Sequence, residues 1–169
     1  YGVNSSSLEC MKNLILAGAS AVHITDTEDK LDAYSHHLYF LINLNPYCPV
    51  EIVQFSSICD TKQKIIKTEE IDKYGYICVF RNESFFIQQI LSANKILLFN
   101  HGVTGDLLYL SSKYTFPLDD IALSPSQQTV IGALLSQLIV DHLPPIENPI
   151  HYQLVFDQVH LSSSVKNLL

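Results

Sequence analysis

Gly2, Asn4, Ser7 and Asp26 are the residues whose spacing points to chemistry. Gly2-Val3-Asn4-Ser5-Ser6-Ser7 leads into an apolar-periodic stretch that stops at Gly18, and Ala21 to Thr25 then reads as a short strand ending in the acid Asp26. This is the order of a nucleotide-binding βαβ unit. Such units set a pyrophosphate against a helix N-terminus through a glycine turn, and place the acid after the second strand on the ribose hydroxyls. Gly2 keeps the first glycine, whereas Asn4 and Ser7 stand where the next two are expected, so the phosphate cradle is degraded. Read plainly, the turn only caps a helix, with Ser6 as N-cap and Glu9 three residues on completing a capping box, worth about 1 kcal/mol. Read functionally, it keeps some nucleotide contact. Asp26 divides the same way, into a surface acid at a strand end or a ribose ligand.

The other reactive side chains offer less. Cys10, Cys48, Cys59 and Cys78 form no C-x-x-C pair, which argues against a zinc site and against a disulfide framework. Cys59 lies in a polar stretch and is expected to be the most exposed of the four. Nothing near it in sequence lowers a thiol pKa, so it is not expected to be a nucleophile. His36 and His37 are neighbours on a predicted helix and point to different faces, so they cannot share a metal. His101 follows a strand, where α/β folds place ligands, yet ordinary polar contact is the reading expected of it. No catalytic residue and no metal ligand is expected in this chain.

The 169 residues are expected to form one domain, residues 1–169, with 47% hydrophobic content and no apolar run near the ~18 residues that span a bilayer. A net charge of −7, with ten scattered basic residues, argues against nucleic acid as a partner. Cysteine usage fits a reducing compartment, the nucleus or cytoplasm. There the two sequons, at Asn4 and Asn82, would carry no sugar. A βαβ unit that starts at Gly2 lacks nearly all of its first strand, so the N-terminus is expected to be trimmed.

The elements that must position these residues follow in order. Thr27 to Leu44 predicts a helix with Leu31, Tyr34, Leu38, Leu41 and Ile42 inward, stopped before Pro46. Val50 to Phe55 predicts a strand, Asp60 to Lys73 a short polar surface helix, and Tyr76 to Phe80 a buried parallel strand. Glu83 to Lys95 predicts a helix and Ile96 to Asn100 a strand ended by His101-Gly102; Leu107 to Leu110 predicts another strand. Ser124 is the expected N-cap of the longest helix, with Pro125 at its first position and Gln127 closing a capping box, and the helix runs to Leu143. It is apolar on almost every side, which fits either a core helix or a core helix that also meets a partner. Leu134, Leu135 and Leu138 are its candidate interface positions. A last strand spans Tyr152 to Asp157. The alternation implies an α/β fold: a three-layer, Rossmann-like, mostly parallel sheet with helices on both faces and a truncated first strand.

Lys12-Asn13-Leu14-Ile15-Leu16-Ala17-Gly18, the acid at Asp26, Leu44-Asn45-Pro46-Tyr47-Cys48-Pro49-Val50, Ile131-Gly132-Ala133-Leu134-Leu135-Ser136-Gln137 and Phe156-Asp157 occur in this order. Together they resemble the enzymes that activate ubiquitin and ubiquitin-like modifiers, which share their fold with the MoeB and ThiF adenylyltransferases. The likeness spans nearly the whole chain and is strongest to the non-catalytic adenylation half of the SUMO type. Adenylation needs cations around the triphosphate, a Mg²⁺-binding acid and an open glycine turn. This chain has one arginine, Arg81, and reads Phe80-Arg81-Asn82 where an active subunit would place its aspartate. The segment between Asp26 and Asn45 is shorter than in the family and lacks its basic positions. The family's catalytic-cysteine insert is absent as well.

The resemblance therefore implies a structural, non-catalytic subunit of a heterodimeric modifier-activating enzyme. The catalytic subunit is its expected partner, with ATP, Mg²⁺ and the modifier bound there and no cofactor on this chain. It also implies an arginine upstream of Tyr1 reaching the partner's ATP. Other readings stay open: an autonomous, reduced MoeB/ThiF-like adenylyltransferase, a small dinucleotide-dependent oxidoreductase, or the inactive half of an enzyme for ubiquitin or NEDD8.

Overall fold

Tyr1, Gly2 and Val3 are the seam of the fold. In the computed structural model, which describes residues 1–60, 62, 65–67, 69, 76–80, 97–104, 107–111, 124–141, 151–155 and 165–167, this tripeptide lies between two groups of strands. On one side Gly2 N–H donates to Thr25 O at 3.0 Å. On the other, Tyr1 N donates to Cys78 O at 2.6 Å and Phe80 N–H donates to Tyr1 O at 2.8 Å, the bonding pattern of a parallel pair. Tyr1 to Val3 forms no regular strand, but its backbone bonds link the segment ending at Asp26 with the one ending at Phe80.

Strand β1 (Val22–Asp26) follows helix α1 (Ser5–Leu16) and pairs in parallel with β2 (Val50–Gln54). Between them the expected single helix is two: α2 (Glu28–Ala33) and α3 (Ser35–Ile42), broken at Tyr34, whose φ of −107° and ψ of 11° leave the helical region. The break lets Leu31, Leu38 and Leu41 reach the core with Val3, Met11, Ile15 and Ile24, while Ile42 stays exposed. A one-turn helix α3 successor, α4 (Phe55–Ile58), ends the second strand.

The segment after it differs from the expected surface helix. Strands β3 (Cys59–Asp60) and β4 (Ile65–Ile66) pair antiparallel, and Lys67 N–H donates to Ile58 O at 2.9 Å. Ile65-Ile66 is a β-branched pair, for which an extended backbone suits the stiff side chains better than a helix. The predicted helix Glu83 to Lys95 lies outside the described residues, as do Arg81, Asn82 and Phe156-Asp157.

Strand β5 (Tyr76–Val79) pairs in parallel with β6 (Leu97–Thr104). From there the chain turns back on itself: β7 (Leu107–Ser111), β8 (His151–Val155) and β9 (Val165–Asn167) are each antiparallel to the strand before in the sheet. β1-β2 is one parallel pair and β5-β6-β7-β8-β9 a five-stranded sheet, with Tyr1–Gly2 hydrogen-bonded to both; the arrangement is α/β and Rossmann-like, parallel at β1-β2 and β5-β6 and antiparallel from β6 to β9. β6 runs four residues past Asn100, through His101-Gly102, because a hairpin to β7 extends its ladder. A hairpin needs only a few linking residues, whereas a parallel return needs a crossover.

The long helix, α5 (Pro125–Asp141), packs against α1. Its start matches the sequence: Ser124 N–H donates to Gln127 Oε1 at 2.8 Å and Gln127 N–H donates to Ser124 Oγ at 3.3 Å. At the far end of α1, Gly18 adopts φ +89° and Ala19 N–H returns to Leu14 O at 3.0 Å, a left-handed stop that glycine adopts without a Cβ penalty.

Candidate functional site

The turn between Val3 and Ser7 is closed by its own side chains. Gly2 has φ +94°, the left-handed turn that only the first glycine of a phosphate loop needs. Asn4, not Ser6, is the N-cap of α1. Asn4 Oδ1 accepts Ser7 N–H at 2.9 Å, and Ser7 Oγ accepts Asn4 N–H at 2.9 Å, a capping box three residues long. Asn4 Nδ2 also donates to Phe80 O at 3.1 Å, tying the turn to the end of β5. The two residues that replace glycines therefore occupy the helix N-terminus with amide and hydroxyl groups, where an anion would otherwise meet free N–H donors.

Ser6 and Ser7 are both buried, and the reason lies on α5. A Cβ on Gly132 would fall far inside van der Waals distance of Ser6 O and 2.9 Å from Glu9 Cβ. The backbone of α5 thus covers the first turn of α1. Glu9, freed from capping, pairs with Lys12 at 2.6 Å and accepts from Asn13 Nδ2 at 3.3 Å. Asn13 Nδ2 reaches across to Ser136 Oγ at 3.2 Å. Gly132 and Ser136, one turn apart, form a small-residue track that sequence reading passed over; the four-residue spacing of small side chains was the available signal.

Asp26 is 2% exposed, so it is not a surface acid. Oδ2 accepts Val3 N–H at 2.7 Å and Oδ1 accepts Thr27 N–H at 2.7 Å. Both distances are in the range of charge-assisted bonds. Asp26 clamps Val3 to the start of α2.

The cysteines are rearranged as well. Cys59, expected to be the most exposed, is 1% exposed, because the β3–β4 pairing turns it inward. Cys48 is buried and burial pushes its thiol up. Interaction with Cys78 on β5, together with burial, pushes the Cys10 thiol on α1 well up, and interaction with Cys10 holds the Cys78 thiol below its ordinary range. Sequence gave no sign of this pair, whose members are 68 positions apart.

No protein-family model and no curated protein matches the chain. Among solved structures it resembles that of selenomethionine-labelled PaaA. The TM-score is 0.65 at 11% identity, over 100% of this chain and 63% of that one. At this identity the likeness shows the fold alone, and the chain spans less than two thirds of its neighbour's length.

On α5 the exposed side chains include Val130 and Val140, at 38% each, so the helix is not enclosed on every side. Ile131, Leu135 and Ile139 form its buried face, with Leu135 at 0% exposure. Leu135 is therefore core and cannot meet a partner. Leu134 is half-buried, and the side chain of Leu138 lies outside the described residues, as does that of His101. Among the described residues, no three His, Cys, Asp or Glu side chains gather as a metal site, and no helix is long and apolar enough to cross a membrane.

Proposed function

We propose that the chain is a structural, non-catalytic subunit of a heterodimeric ubiquitin-like-modifier-activating enzyme of the SUMO type, supporting adenylation and thioester formation by its partner. The observation that carries this reading is Asn4. It stands at the second glycine position of the turn and spends its side-chain oxygen on Ser7 N–H and its nitrogen on Phe80 O. A nucleotide-transferring enzyme needs that helix end free for phosphate, so a filled turn on a Rossmann-like fold supports a domain kept for assembly. The burial of Asp26 supports the same reading. ATP, Mg²⁺ and the reactive cysteine then belong to the partner.

Two measurements test it. Modifier-dependent ATP–pyrophosphate exchange by this chain alone, tried with each candidate modifier, should show no turnover; robust exchange would instead favour the autonomous adenylyltransferase. Co-purification of the full-length gene product should then yield a chain that carries an ATP site and forms a thioester with a modifier. Isolation as a lone monomer, active or not, would remove the subunit reading.

A further inference from the structure

Strand β2 presents a regular, unguarded edge. Val22 N–H donates to Pro49 O at 3.0 Å, and Val22 stands opposite Val50 in the parallel register. In such a ladder alternate residues face the neighbour, so the backbone groups of Glu51 and Val53 face β1 and those of Val50, Ile52 and Gln54 point away from it. Among the described residues, β1 is the one strand paired with β2. Of the outward groups, Gln54 O accepts Ser57 Oγ at 2.6 Å and keeps a second lone pair.

Native sheets guard exposed edges with lysine, proline, a bulge or brevity. The edge at β9 follows that rule, being three residues long with Lys166 at its centre. β2 does not. Its five residues stand in unbroken register with β1, none is lysine or proline, and the central Ile52 is 43% exposed. Val50, which shares a face with Ile52, packs on the core beside Leu38 and Leu41 of α3, and α3 exposes Tyr39 and Phe40 next to this edge.

A second copy of the chain matches this edge in both backbone and side chains. A two-fold axis at Ile52 sets Ile52 against Ile52 of the second copy and Val50 against Gln54, so each outward N–H meets an outward C=O. The two Ile52 side chains cover each other. Glu51 comes opposite Val53, so no like charges stand face to face. Five residues a side are few against the ~800 Å² that each partner of a standard interface buries, and the exposed aromatics of α3 add apolar area beside them. We propose that the chain forms a two-fold homodimer in which two β2 strands join antiparallel about Ile52, making one sheet across both copies. The joint uses none of the residues assigned above to the heterodimer and does not depend on that reading.

The test uses the whole chain at rising concentration in size-exclusion chromatography with light scattering. The wild type should approach twice its chain mass. Ile52→Lys sets two ammonium groups face to face at an exposed position, and should stay folded by circular dichroism yet run as a monomer. Single cysteines read the register without relying on that variant. Facing Cα atoms of a hydrogen-bonded antiparallel pair stand about 5.5 Å apart, within the disulfide reach of about 4.4–6.8 Å. Mild oxidation should therefore convert Ile52→Cys to a dithiothreitol-sensitive cross-linked dimer. Gln54→Cys, roughly 14 Å from its own counterpart, should not cross-link. The proposal is overturned by a wild-type chain that stays monomeric, by a dimer that persists in folded Ile52→Lys, or by equal cross-linking at the two cysteines. A chain that is monomeric alone but loses its heterodimer in Ile52→Lys would assign the edge to a foreign strand, and overturns it as well.

Discussion

The carboxylate of Asp26 binds the backbone N–H of Val3 at 2.7 Å from within the protein, while its other oxygen binds Thr27 N–H. Replacing it with Ala would strand two backbone donors, of which the one on Val3 is buried. An unpaired buried donor costs about 1–3 kcal/mol. Asp26→Ala should therefore lower the unfolding free energy by about 1–3 kcal/mol, read from urea denaturation followed by circular dichroism. A change within about 0.5 kcal/mol, the range of an ordinary surface substitution, would show that the clamp does not form.

Gly132→Ala sets two effects against each other. Alanine is the better helix former by about 1 kcal/mol. Its Cβ, however, would press into the backbone of Ser6, which has no rotamer by which to yield. Overpacking of this kind costs about 1–3 kcal/mol, so the variant should be net destabilised despite its gain in propensity. A raised melting temperature would mean that α5 stands farther from α1 than described.

Asn4 has two tasks, and two substitutions separate them. Asn4→Ser keeps a capping oxygen but loses the amide that reaches Phe80 O. Asn4→Ala loses both, and loss of the cap alone is worth about 0.5–2 kcal/mol. Stability should fall in the order wild type, Asn4→Ser, Asn4→Ala. Amide hydrogen exchange should show faster opening of the first turn of α1 in the alanine variant, and equal rates in all three would contradict the capping role.

Position along α5 should decide the effect of a charge. Leu135→Asp buries an unpaired carboxylate and should leave the chain unfolded by circular dichroism. Leu134→Asp, half-buried, should remain folded. If the proposed heterodimer uses this face, Leu134→Asp or Leu138→Asp should weaken it in size-exclusion chromatography with light scattering. Two folded variants that both still assemble would place the interface elsewhere.

Local rules were legible in the sequence. The Ser124–Gln127 capping box, the stop at Gly18 and the strand at Tyr76 depend on residues within a few positions of each other, and each stands as expected. Ser6 was the expected cap of α1 because serine and a glutamate three residues on satisfy the pattern. Asn4 and Ser7 satisfy it equally well, and the link from Asn4 to Phe80 O favours them.

What the sequence by itself determined is the βαβ entrance with its lost glycines, since Gly2, Asn4 and Ser7 speak through backbone conformation and hydrogen-bonding capacity alone. Tertiary structure decided where the polar groups went. Asp26 turned inward because Val3 N–H lies beside it, Gly132 brought α5 onto the first turn of α1, and Cys59 was buried as β3 paired with β4. It also decided the direction of β7 to β9, because two strands of the same composition pair either way, and only the packing of the whole sheet selects the hairpins.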